Sequence, residues 1–321
     1  MTRILSAYLT TVPTLHRGRF DQHTSLQKMV DVLLAQSRPG AMAGVRMAVV
    51  HDGHANRTRY RGVELVPTHV TSQQQMMQPQ DERWGVYLRE LHQSSDDECV
   101  FLIDLADVRV LNDPHPLCDA HPEGLFAGSD WCAAKEIKTW LRGRFLVDSH
   151  YGNRSAAGPL GAWFADRGRP VRNAGILGGR WRVLRPFLRD MVRATRSHYS
   201  SLEKLGLAMH GPVDMLVYNE QLLLALQSEV YSGWPWGYVN LPMSAQMCHG
   251  HNCSTARTAS VPYWTCVRSA ILEMQPRYYF AHKLACGLSH HGVILPCDWP
   301  VTPMKEVDRA RAARRPQPSQ G

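Results

Sequence analysis

No apolar stretch in these 321 residues approaches the ~20 that span a bilayer. The N-terminus goes almost at once into Ile4-Leu5-Ser6-Ala7-Tyr8-Leu9, too short and wrongly built for a signal peptide. A cytosolic chain is therefore expected, or a luminal domain seen without its anchor. The chain also lacks a phosphate-binding P-loop, because its glycine-rich stretch Asn173-Ala-Gly175-Ile-Leu-Gly178-Gly179 is not followed by Lys-Ser/Thr. Nor is that stretch a dinucleotide fingerprint, which should follow the first strand of a βαβ unit. No internal repeat is present. Charged residues make up only 20% against 44% hydrophobic, an ordinary globular balance.

The formal charge is +8, but residues 305–321 hold five basic and two acidic side chains and supply +3 of it. The remainder is mild and suits a small anionic ligand at least as well as a nucleic acid. No RNA- or DNA-binding module is recognisable, so no nucleic-acid partner is expected. Eight cysteines, six of them between Cys132 and Cys297, leave the redox compartment open. Three sequons, at Asn56, Asn153 and Asn252, hint at the secretory route.

What the sequence does have is concentrated in residues 99–114. Four apolar residues, 100–103, run directly into Asp104, and a second carboxylate follows at Asp107. Such a run reads as a strand buried on both faces. Carboxylates where it ends stand where open α/β sheets bind ligands, outside the strands' carboxyl ends. Paired there, they suit a hard cation such as Mg²⁺ or Mn²⁺. The plainer alternative is two solvated turn residues. Asp113, before Pro114, reads as a turn residue.

Strands are expected at 4–11, 45–50, 63–66 and 100–103, and later at 175–177 and 238–241. Helices are expected after Thr24, from Asp81, over 181–195 with Pro186 in the first turn or kinking it, and from Asp214 to about Gln227. Alternating strands and helices predict an α/β fold with a mostly parallel sheet. Residues 305–321 read as a disordered tail.

Three further stretches carry chemistry. Asn173, Gly175, Gly178 and Gly179 combine an amide with glycines that let backbone approach a ligand, or they form a plain turn. Asp214 opens a helix, as a cap or as a site carboxylate. His282 beside Lys283 offers a metal ligand and a phosphate-binding cation, or a structural histidine. Separately, Cys248-His249-Gly-His251-Asn-Cys253 allows zinc or disulfides, and Trp234 and Trp236 are either a packed loop or a sugar platform.

Taken in order, these segments resemble nucleotide-sugar glycosyltransferases of the GT-A fold, over residues 3–295. The carrying residues are 6–11, the helix at Asp81-Glu-Arg83-Trp, Phe101-Leu-Ile-Asp104-Leu-Ala-Asp107, Asn173-Ala-Gly175, Asp214-Met-Leu-Val-Tyr-Asn219 and His282-Lys283. The family's acidic pair is Asp-x-Asp, whereas here the spacing is Asp104-x-x-Asp107. The resemblance implies a single GT-A-like α/β domain in two halves: a nucleotide-sugar-binding half over 1–115 and an acceptor-binding half over 116–304. It implies Mn²⁺ or Mg²⁺ on Asp104, Asp107 and His282. Lys283 would contact the diphosphate. Tyr8, Thr10, Arg83, Gly175, Gly178 and Gly179 would shape the donor site, and Asn173 and Asp214 would be the catalytic residues, Asp214 as the base near the acceptor hydroxyl or as an acceptor-binding group. The implied donor is a UDP- or GDP-sugar. The implied acceptor is a glycan, protein or lipid, and the compartment is either the Golgi or secretory lumen or the cytoplasm. A catalytically inactive relative is the alternative.

Overall fold

The computed structural model describes residues 1–9, 26–37, 40–53, 56–70, 77–105, 108–129, 172–204, 214–225, 230–232, 238–240 and 279–282. In chain order the elements are β1 (Thr2–Tyr8), α1 (Leu26–Gln36), β2 (Val45–His51), β3 (Thr58–Tyr60), β4 (Val63–Pro67), α2 (Pro79–Glu90), β5 (Cys99–Ile103) and β6 (Val108–Val110). They continue with α3 (His115–Ala120), β7 (Leu125–Ser129), β8 (Arg172–Arg180), α4 (Trp181–Lys204), α5 (Asp214–Leu224), β9 (Val230–Ser232), β10 (Tyr238–Asn240) and β11 (Phe280–His282).

Eight strands form one sheet in the order β3-β4-β2-β1-β5-β8-β7-β9. β4, β2, β1 and β5 are mutually parallel, and β7 pairs parallel with β9. β8 runs antiparallel between β5 and β7, and β3 antiparallel along β4. The chain leaves β1 toward β2 on one side, then returns past it to place β5 on the other. The carboxyl ends of β1 and β5 therefore flank the point where strand order reverses, the crevice in which open α/β sheets bind ligands.

Burial follows the pleat. Ile4, Val49, Cys99, Phe101 and Ile103 face α1 and pack with Met29, Val30 and Leu33. Leu5, Val50, Val100 and Leu102 face the other way, onto Trp84 and Tyr87 of α2, Leu184 and Leu188 of α4 and Tyr218 of α5. Strands covered on both sides are apolar throughout, and this is why β5 is wholly buried.

The expected strands at the start of the chain and at 45–50, 63–66 and 100–103 are present, as is the late strand at Tyr238. The helix expected over 181–195 runs on to Lys204, with Pro186 inside it. The strand expected at 175–177 is the middle of the longer β8, which takes in the whole stretch from Asn173 to Gly179. β3, β6, β7, β9, β11 and α3 are not expected from the sequence. The turn joining β3 to β4 puts both Arg61 (φ 47°) and Gly62 (φ 85°) in the left-handed region, the conformation of a two-residue hairpin. A disulfide joins Cys99 at the start of β5 to Cys118 of α3.

A second, three-stranded sheet sets β11 between β10 and β6. Strands from residues 1–115 thus pair with strands from 116–304 in both sheets. No helix among the described residues is long and apolar enough to cross a membrane.

Candidate active site

The site begins with a break in the β7–β8 ladder. Ala127 pairs with Leu177 while Gly128, the next residue, pairs with Asn173, so residues 174–176 of β8 bulge out of register. Bulged backbone groups need partners, since an unpaired buried amide or carbonyl costs about 1–3 kcal/mol. The chain supplies them locally and from α5. The Asn173 side-chain oxygen accepts from the Gly175 amide at 2.8 Å. The Tyr218 hydroxyl donates to the Ile176 carbonyl at 3.1 Å. Asn219 accepts from the Arg172 amide at 2.7 Å and donates to the Arg172 carbonyl at 2.9 Å. The bulge also reaches β5, because Gly175 O accepts from the amide of Asp104 at 3.0 Å.

That last bond fixes Asp104 at the carboxyl end of β5. Next to it, the Ser6 hydroxyl of β1 donates to the Ile103 carbonyl at 2.7 Å. Into this corner α2 sends Arg83. One guanidinium nitrogen donates to an Asp104 carboxylate oxygen. The other donates to Asp214 Oδ2 at 3.0 Å and to the Ala174 carbonyl at 3.1 Å. The guanidinium lies 4.6 Å from the centre of its neighbour's ring, Trp84. Arg83 and Asp214 side chains are 10% and 9% exposed, whereas Asp104 is 27% exposed, so of the three Asp104 opens furthest to solvent.

Burial alone would lower the Arg83 pKa. The charges of Asp104 and Asp214 more than offset that, and the guanidinium is held above its ordinary value. One cation between two anions leaves a net negative charge at this rim. Around it, burial first of all pushes the phenols of Tyr87 and Tyr218 upward, opposed by Arg83 at Tyr87 and by Arg172 and Arg83 at Tyr218, and both stay neutral.

The structure thus joins Arg83, Asp104, Asp214 and the Asn173-Ala174-Gly175 segment in one hydrogen-bonded knot. Tyr8 ends β1, the strand beside β5. His282 pairs in register with Val108, so β11 brings it next to the residue that follows Asp107. Thr10, Asp107 and Lys283 lie outside the described residues, as do the 248–253 Cys/His segment, Trp234, Trp236 and the tail. Among the described residues no three His, Cys, Asp or Glu side chains cluster as a metal site.

Gly178 and Gly179 stand apart from this knot. A Cβ on Gly178 would lie 2.2 Å from the ring of Phe101, and one on Gly179 2.7 Å from the Gly124 carbonyl. Both face core neighbours, where the absence of a side chain lets β8 pack closely. Asp113 holds a turn, accepting from the His115 amide at 2.9 Å. Asn219 stands in the sequence as part of the Asp214 helix, with no role of its own assigned there. Its signal was present, an amide on the inner face of the Asp214 helix, but it gains meaning only from the bulge.

No family model matches this chain, and no curated protein does. It is similar to a solved structure described as galactosyltransferase LgtC in complex with donor and acceptor sugar analogs, at 13% identity. That likeness covers 99% of this chain and 98% of the other, with a TM-score of 0.43.

Proposed function

We propose that this protein is a glycosyltransferase that moves a sugar from a nucleotide-diphosphate donor to an acceptor. The observation that carries the reading is the Arg83–Asp104–Asp214 knot at the carboxyl ends of β1 and β5. A donor of this class carries a diphosphate whose departure needs positive charge beside it and a fixed sugar. The nucleotide, UDP or GDP, lies against the end of β1 near Tyr8 and Thr10, and Lys283 meets the diphosphate. Arg83, held by two carboxylates and a carbonyl, positions the donor sugar. Gly175 lines the donor, and Asn173 and Asp214 act on the acceptor side, Asp214 as its base or its binding group.

The rim also suits a divalent cation. Asp104 is a hard oxygen donor that opens to solvent, the rim keeps a net negative charge, and β11 pairs His282 in register with Val108, the residue after Asp107 in sequence. Asp104, Asp107 and His282 would hold Mn²⁺ or Mg²⁺. When bound, such an ion neutralises charge developing on the departing diphosphate. The buried Cys99–Cys118 disulfide supports a secretory or Golgi lumen, since such bonds persist in oxidising compartments.

Turnover of a panel of UDP- and GDP-sugars with Mn²⁺ tests the proposal. Asp104→Ala should remove transfer, and unchanged turnover in that variant would sink the assignment. A second reading, a non-catalytic binding protein, is favoured by Arg83 already engaging Asp104. Calorimetry with UDP and GDP separates the two: metal-enhanced nucleotide binding supports the enzyme, and its absence supports the binding protein.

A further inference from the structure

α4 carries a row of arginines that the proposed site does not use. Arg182, Arg185, Arg189, Arg193 and Arg196 recur every three or four residues. At 100° per residue they fall within an arc of about 80°. Leu184, Leu188, Met191 and Thr195, all fully buried, occupy a different arc of the same helix. The first two arginines are neutralised, Arg182 by Asp97 and Glu123 and Arg185 by Asp96. Further along, Arg189 and Arg196 are exposed and have no acidic partner among the described residues. Arg193 is 80% exposed, and its acidic partner among the described residues is Asp190, one turn back on its own helix.

We propose that the Arg189, Arg193 and Arg196 row is a binding surface for an acidic polysaccharide. The three guanidinium-bearing positions rise about 6 and about 4.5 Å apart along the axis, a straight line of charge one residue wide. A line fits an extended polyanion with one carboxylate or sulfate per sugar. The arginine fork grips such groups with two parallel hydrogen bonds.

Two other polyanions fit less well. A single-stranded nucleic acid needs aromatic platforms for its bases. The α4 aromatics are spent elsewhere: Trp181 and Phe187 are buried, and the Tyr199 hydroxyl donates to Asp81 and accepts from the Gln78 amide. A membrane surface would favour large apolar residues beside the arginines. Among the described residues the exposed large hydrophobic is Met1, on β1's end of the chain. Tyr199, one turn beyond Arg196 on α4, donates to Asp81 in the first turn of α2, the helix that carries Arg83. Reading the bound glycan as part of an acceptor rests on the proposed transfer reaction; the binding itself does not.

The test is equilibrium binding of the full chain to a size-defined sulfated heparin oligosaccharide over a salt series. The variant R189Q/R193Q/R196Q keeps helix propensity. A matched variant, R311Q/R314Q/R315Q, removes the same charge from the tail. The row variant should lose tenfold or more in affinity with a shallower salt dependence, and the tail variant less than threefold. Its far-UV circular dichroism and its thermal shift with UDP or GDP should equal the parent's. Row-variant affinity within twofold of the parent would overturn the proposal. So would equal or tighter binding of a single-stranded oligonucleotide of the same charge, or of phosphatidylserine vesicles. Absence of sugar-nucleotide turnover leaves this measurement intact and bears only on the enzyme reading.

Discussion

Two ends of one strand pair differ sharply. Where β5 and β8 meet at Ile103 and Ile176, the next residues are Asp104 and the bulged Gly175, and Arg83 enters from α2. Two to four residues back along the ladder, Phe101 lies against Gly178, Cys99 is bonded to Cys118, and the ring of Phe101 stands 5.1 Å from Phe280 and 5.9 Å from Phe126. Both ends hang on the same backbone hydrogen bonds. One is held by charge that has meaning only if all partners are present, the other by volume and a covalent link. The lesson is that the apolar end can keep the frame stiff while the charged end stays open to a ligand.

Breaking the charged end should have the largest effect. Arg83→Leu leaves Asp104 and the buried Asp214 without their shared cation, and losing one partner of such a pair costs about 3–5 kcal/mol. Chemical denaturation should show that loss, and sugar transfer should vanish. Opening the Cys99–Cys118 bond comes next. It closes a loop of sequence separation 19, worth about 3 kcal/mol in unfolded-chain entropy. The C99A/C118A variant should melt lower yet keep its nucleotide thermal shift, which would separate the two ends cleanly. Gly178→Ala presses a methyl into Phe101, an overpacking cost of about 1–3 kcal/mol. Here too stability should fall and nucleotide affinity hold; a larger effect on affinity than on stability would merge the two ends into one.

The smallest effect is with pH. Tyr87, Tyr199 and Tyr218 all have pKa values raised above 10.0, each chiefly by burial. The fold therefore favours their protonated form. That contribution is complete below pH 10 and is lost as pH rises beyond it. The melting temperature should not respond to these groups up to about pH 9 and should decline above about pH 10. A melting temperature that stays level through pH 11 would remove these phenols from the core.

Much of the frame was legible. β2, β4 and β5 are apolar runs, and α1 and α4 show helical spacing of Leu, Met and Val, so period and length identify them. β3 and β6 are three residues each and too short for a period to show. β7, Leu125-Phe-Ala-Gly-Ser129, is hidden by its small residues, and α3 by the prolines around it. In the site, Arg83, Asp104 and Asp214 each stood out, but their union did not, because the partners lie 21 and 131 residues apart. Gly178 and Gly179 show the limit from the other side. Glycine permits close approach by anything, and only the fold reveals that Phe101 stands against Gly178.

The bulged hairpin has one more consequence. Ser129 and Arg172 are cross-strand partners at the rim that carries Asn173 and Asp104, so residues 130–171 leave and rejoin the sheet at a single doorway. Closure entropy grows only slowly with length, by about 0.6 kcal/mol per doubling. A longer or shorter connection between Ser129 and Arg172 therefore costs the β7–β8 pairing little.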